Sequence, residues 1–181
     1  MAQPCGSTRA GTGYVLDPLY LQHDAPQHPE NRRRLEAITR SLSTGGLLSR
    51  LVPIAARDAT PEELSWVHRS TYIDEVRSFS SEPAAWLNPD TYLGPDSYAA
   101  AVRAAGGVLA AVDAVMTGDC SSVFALVRPP GHHAVANRAM GFCLFNNVAV
   151  AARYAQRTYG LQRVLIVAVS VSRSLTTGPA L

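Results

Sequence analysis

Lysine is missing altogether from this chain of 181 residues, so all 16 of its basic residues are arginine. Codon usage accounts for that better than mechanism does. Fourteen acidic residues leave a net charge of +2, a balance that does not mark a nucleic-acid-binding surface. Cysteine is scarce: Cys5, Cys120 and Cys143 are an odd set without a Cys-x-x-Cys pair. That excludes a disulfide framework and a structural zinc knot, and it fits a reducing compartment. No apolar run approaches the roughly 18 residues of a membrane span. Residues 1–13 lack the apolar stretch of a signal peptide, and their single arginine is too little for an organelle transit peptide. The expectation is a soluble intracellular protein of the cytoplasm or nucleus, an organelle being left open, with no membrane or direct nucleic-acid partner. With 47% hydrophobic and 17% charged residues, the chain can bury the core of one ordinary domain.

No internal repeat or domain linker interrupts the chain. Residues 1–13 are expected to be flexible. Tyr14-Val15-Leu16 running into Asp17-Pro18 reads as a first strand closing in a loop. Leu35, Ile38 and Leu42 have helical spacing, and Gly45-Gly46 ends that helix. Residues 51–55 read as a strand. Thr60-Pro61-Glu62-Glu63 is a capping box with proline at the first helical position. Ser70 can cap a further helix through Tyr72, Ile73 and Val76, and residues 80–95 read as a long surface loop. The alanine-rich stretch 98–116 is the longest predicted helix, 122–127 a strand, 146–159 a helix closing on Gly160, and 163–169 a buried parallel strand. This order predicts an α/β fold, a parallel sheet with helices on its faces and functional loops at the C-terminal ends of its strands.

The strand at 122–127 runs into Arg128-Pro129-Pro130-Gly131-His132-His133, a rigid turn that delivers two adjacent histidines to that edge. Neutral imidazole takes a proton from water and imidazolium returns one, so a pair can divide base and acid roles. A bare His-His dipeptide is equally satisfied by two partly exposed loop histidines. The longer context decides: Arg128 to Ala134, then Gly141-Phe142-Cys143-Leu144-Phe145-Asn146-Asn147 opening a helix.

In these segments the chain resembles the zinc-dependent histone deacetylase superfamily, including its acetoin-utilisation and acetylpolyamine deacetylase relatives. The likeness extends back through Asp90-Thr91-Tyr92-Leu93-Gly94-Pro95, the 98–116 helix, Tyr72-Ile73, Val67-His68 and His28-Pro29-Glu30, and forward to about Val167. It implies an arginase/deacetylase-like parallel sheet with helices on both faces, truncated after about the first half. It also implies a parent activity, hydrolysis of acetyl-lysine in chromatin regulation or of an acetylated polyamine or other small amide. His132 and His133 match the family's paired acid–base histidines. Phe142 matches an aromatic wall of the acyl channel, with Gly141 beside it; simple core packing is the alternative for Phe142. Asp90 falls near the rim aspartate that receives substrate amides. Arg34 matches an arginine at the channel base, although Arg32 stands where the family pattern has proline. Cys143 is read as packing.

After its buried strand the family reads Asp-x-Asp-x-His-His-Gly, the second aspartate and first histidine binding zinc. This chain has Ala168, Ser170 and Ser172 at the three matching positions. Serine hydroxyls are poor substitutes for carboxylate and imidazole, and Ala168 removes the carboxylate that would orient His132. Zinc is therefore expected in the parent family but not on this chain. Residues 170–181 are expected to be an unrelated tail, from a changed reading frame, an alternative transcript or a misplaced exon boundary, so that later family elements are absent. The expectation is a catalytically incomplete product, or else a non-catalytic interaction module or decoy that meets protein partners through an exposed sheet edge and is poorly soluble alone.

Overall fold

The computed structural model describes residues 11–25, 27–79 and 85–167. Strand β1 (Thr12–Val15) lies at the centre of a three-stranded sheet, between the strands at Val52–Ile54 and Ser122–Ala125. Its first two residues, Thr12 and Gly13, therefore fall inside the stretch expected to be flexible; residues 1–10 of that stretch, and the predicted tail, lie outside the described residues. Helix α1 (Arg33–Thr44) buries Leu35, and Gly45 ends it by returning its N–H to Ser41 and Ser43. Strand β2 (Val52–Ile54) pairs with β1 in parallel, Gly13 opposite Val52 and Val15 opposite Ile54.

Helix α2 (Pro61–Ser65) starts at the predicted capping box: the Thr60 hydroxyl accepts the Glu63 N–H at 3.1 Å and the Glu63 carboxylate accepts the Thr60 N–H at 2.7 Å. Two orphan donors are thereby satisfied reciprocally. Helix α3 (Ser70–Phe79) buries Tyr72, Ile73 and Val76, the residues expected on its inner face. The predicted surface loop at 80–95 is corrected by the structure. Within it β3 (Ala85–Asn88) and β4 (Thr91–Leu93) form an antiparallel hairpin, with Trp86 opposite Tyr92. Its strands are too short, and too interrupted by Asn88, Pro89 and Asp90, for alternation to show in sequence.

Helix α4 (Ser97–Met116) is the central core element. By length and composition it could cross a membrane, contrary to the expectation that no run comes close, but most of its apolar window is buried within this fold. Its small residues set how closely it approaches the sheet: a methyl group on Gly107 would meet Val15 and the Tyr20 hydroxyl. Strand β5 (Ser122–Ala125) pairs with β1 in parallel, Thr12 opposite Ser122 and Val15 opposite Ala125. Helix α5 (Asn147–Tyr159) packs on α4 and closes on Gly160, whose φ of 68° is one that glycine adopts without strain.

A second correction concerns the buried strand predicted at 163–169. Residues 163–167 join no strand, and Leu165 is 86% exposed; residues 168 and 169 lie outside the described residues. Their apolar, β-branched character is what a doubly covered strand requires, but no described strand lies beside them to supply that cover.

Candidate functional site

The last β5 hydrogen bond to β1 is donated by Leu126 to the Val15 carbonyl at 2.9 Å. Beyond it the chain leaves the sheet through Val127, Arg128 and a cis Arg128–Pro129 peptide. Arg128 is the anchor of this exit. Its guanidinium donates to both Glu30 carboxylate oxygens, at 2.7 and 2.8 Å, and to the Tyr20 carbonyl at 2.9 Å. The two charged side chains are only 5% and 9% exposed, so each depends on the other for its charge to be tolerated there. Gly131 then passes so close to Phe145 and Asn147 that a Cβ would lie 2.4 Å from the Phe145 carbonyl oxygen. His132 and His133 follow, both exposed, with ring centroids 4.2 Å apart.

A second loop forms the facing wall. Met140 and Cys143 exchange backbone hydrogen bonds at 3.2 and 3.0 Å, and between them Gly141 and Phe142 both turn into the left-handed region, at φ 57° and 69°. A Cβ on Gly141 would stand 2.7 to 2.9 Å from the His133 side chain, so glycine is what lets that imidazole sit against the loop. Phe142 holds a conformation that costs a non-glycine residue about 1–3 kcal/mol. Two contacts fix it: the Thr91 hydroxyl accepts its N–H at 3.3 Å, and the His28 ring meets its ring edge-on at 4.6 Å.

Further polar contacts moor both loops to α3 and to His68 just before it. Buried His68 donates through Nδ1 to the Val135 carbonyl at 3.0 Å and accepts the Asn146 N–H at Nε2 at 2.9 Å. The Tyr72 hydroxyl donates to the Leu144 carbonyl at 2.6 Å. Asn146 caps α5 by accepting the Ala149 N–H at 3.1 Å, while its amide donates to the Ala134 carbonyl at 2.9 Å. One asparagine thus joins the histidine loop to the helix that follows.

Between the loops, α1 and β5 lies a cleft of about 580 Å³. His132, His133, Gly141, Phe142 and Arg34 all line it, so five of the six predicted site residues come together. Asp90 does not line it. It sits at the β3–β4 turn, where its carboxylate accepts the Thr91 hydroxyl at 2.7 Å and its carbonyl accepts His28 Nε2–H at 3.1 Å. Burial, and then the neighbouring His133, hold the His132 pKa below the usual histidine value. Burial pushes the Cys143 thiol up, which keeps it protonated and suits packing rather than nucleophilic work.

Glu30, Thr91, His28 and His68 are the supporting residues that the sequence did not single out. A charge buried at Arg128, just before the two prolines, needs a carboxylate close by, and Glu30 of the His28-Pro29-Glu30 segment is the residue that supplies it. Thr91 and His28 stand in segments that carry the family resemblance, but their contacts with Phe142 span 51 and 114 positions of chain. No group of three or more histidine, cysteine, aspartate or glutamate residues able to hold a metal ion occurs among the described residues. Ala168, Ser170 and Ser172 lie outside the described residues.

A family model described as histone deacetylase domain matches residues 28–171. Histone deacetylase 15 of Arabidopsis thaliana is 43% identical over 167 residues, which cover 89% of this chain and 30% of that protein. A histone deacetylase-like amidohydrolase of Pseudomonas aeruginosa is 37% identical, across 91% of this chain and 42% of its own length. Polyamine deacetylase HDAC10 of Mus musculus is 44% identical, across 74% and 21%. The crystal structure of the HDA15 HD domain superposes with a TM-score of 0.80 at 42% identity, covering 82% of this chain and 44% of that one. This chain spans less than half the length of each of these relatives.

Proposed function

The chain belongs to the histone deacetylase family, and on that premise we propose that it carries the acid–base and acyl-channel side of a deacetylase centre without the metal side. The observation that carries this reading is the fit of the two loops. Gly141 leaves the space that His133 occupies, and Phe142 is held at the same cleft by Thr91 and His28. The cleft offers an apolar wall for a methylene stem and, at its end, two imidazoles for proton transfer. Arg34 supplies a positive charge on the α1 side of the cleft.

The family is zinc-dependent, and zinc would supply the Lewis acid that polarises an acetyl carbonyl. The residues of this chain do not fit that ion. Positions 170 and 172 hold serine where an aspartate and a histidine are needed, and Ala168 offers His132 no carboxylate. The proposed role is therefore recognition without turnover, as an interaction module or decoy that admits an acetyl-lysine stem. An acetylated polyamine is the alternative ligand, because relatives named as histone deacetylases and as polyamine deacetylases both resemble this chain.

Nuclear magnetic resonance tests this directly. An acetyl-lysine peptide and an N-acetylated polyamine are titrated separately into the chain while the His132 and His133 imidazole signals are followed. The reading expects saturable shifts at both histidines with at least one ligand, weakened by F142A. Absence of shifts with both, or shifts untouched by F142A, would contradict it.

A further inference from the structure

The chain has two tryptophans, and their surroundings differ. An arginine lies over the ring of Trp66, and the same cover is given to Tyr98 and Tyr154, with guanidinium carbons 5.0 to 5.3 Å from the ring centroids. Trp86 is 56% exposed, and no arginine lies over it or over its neighbour Tyr92 among the described residues. These two rings are paired across the β3–β4 hairpin, their centroids 5.8 Å apart and their planes at 70°, so they form a corner. Aromatic faces attract cations through the ring quadrupole. This corner is open to one.

A carboxylate completes it. Asp24, with Ala25 and Gln27, borders an open pocket of about 330 Å³ together with Trp86 and Tyr92. Asp24 is fixed in place, since its Oδ1 accepts the Arg32 N–H at 2.9 Å. Its charge is only loosely balanced: the Arg32 side chain is 55% exposed, stands 3.6 Å from Oδ2 and is shared with Glu36. Burial, then the negative charges of Asp24 and Asp96, hold the Tyr92 phenol above the usual tyrosine value. Both acidic groups thus act on this ring and favour a cation beside it. The pocket stands one ring beyond the cleft wall, because His28 meets Phe142 at 4.6 Å and Trp86 at 5.5 Å.

We propose that Asp24, Trp86 and Tyr92 bind an alkylammonium group, the free amine end of a small unbranched polyamine whose acetylated end occupies the cleft. The rings supply cation–π attraction and the carboxylate a charge-assisted hydrogen bond. A methylene chain can run from the cleft past His28 without backbone partners. A peptide would need them, and Asp90, the residue expected to receive its amides, is not among those that line the cleft and already accepts the Thr91 hydroxyl. The placing of the acetylated end rests on the proposed function; the ammonium site does not.

The test follows the Trp86 indole N–H signal by nuclear magnetic resonance. The chain is titrated with spermidine, which bears ammonium groups and no acetyl group, and separately with a neutral linear alkanediol of the same chain length. The expected result is a saturable shift with spermidine, absent with the diol, and an affinity reduced about fivefold or more by D24N and by W86L. D24N keeps the acceptor for the Arg32 N–H and W86L keeps apolar bulk, so neither loss is explained by a displaced loop. N-acetylspermidine should move Trp86 and both histidines together. No saturable shift with spermidine, an equal shift with the diol, or an unchanged affinity in D24N overturns the proposal. A shift produced only by an acetyl-lysine peptide carrying a second lysine would assign the pocket to a peptide and overturn it too. The spermidine and diol titrations need no variant, so they decide even where W86L fails to fold. If spermidine moves Trp86 while no acetylated ligand moves the histidines, the cleft reading falls and the ammonium site stands; the reverse pattern removes the ammonium site alone.

Discussion

Arg128 carries a permanent charge into a nearly dry place, and Glu30 is its only carboxylate partner among the described residues. Removing one member of such a pair leaves the other uncompensated, whereas replacing both with apolar groups removes the penalty together with the attraction. E30A is therefore expected to destabilise the fold by about 3–5 kcal/mol, and E30L with R128M by much less. Urea unfolding followed by circular dichroism checks this, and a double variant as unstable as E30A would count against the pair's mutual dependence. The residues around it divide by how far they were legible. His132, His133, Gly141 and Phe142 stand in two short unbroken motifs, and each motif is one loop. Asp90, expected near the rim, is not among the residues that line the cleft, and its carboxylate accepts the Thr91 hydroxyl in the β3–β4 turn. Its adjacent Thr91 is the residue that touches the Phe142 backbone.

His23 shows how an irregular segment is locked to a helix. It is buried beside the first turn of α4, where its Nδ1 shares a 2.7 Å hydrogen bond with the Ser97 hydroxyl, and that hydroxyl accepts the Gly94 N–H at 2.7 Å. Burial, opposed in part by Glu30, lowers its pKa to about 4 from 6.5. The folded state therefore binds fewer protons than the unfolded chain between these values, and stability falls as the pH drops from about 6.5 towards 4. The loss from this one group is about 3 kcal/mol when complete. H23Q should flatten that part of the stability profile, and unfolding free energies at pH 7.5 and 4.5 check it; equal losses in wild type and variant would contradict the assignment. At this scale α2 and α5 were readable from cap chemistry, the Thr60–Glu63 box and Gly160, and α1 from the helical spacing of its apolar residues. The β3–β4 hairpin was not, since its three- and four-residue strands gain their meaning only from each other. Residues 163–167 misled for the opposite reason. Their local pattern asks for a strand, but a strand exists only where another strand accepts it.

Across the whole molecule, a parallel sheet with helices was evident from the order of elements, and its likeness to the HDA15 HD domain agrees with that reading. The sheet places β5 so that its C-terminal end opens on the histidine pair, as α/β folds place their functional loops. The same strand forms one side of the cleft. In the proposed reading the missing chemistry lies at Ala168, Ser170 and Ser172, which stand where the resemblance expects the groups that orient His132 and hold zinc. The most direct measurement of this account combines metal content with turnover: the purified chain is supplied with zinc, desalted, analysed for bound metal, and assayed on an acetyl-lysine peptide. The account predicts no stoichiometric zinc and turnover at the level of a H132A/H133A control. One tightly held zinc per chain, with turnover abolished by a chelator and by that double substitution, would contradict it.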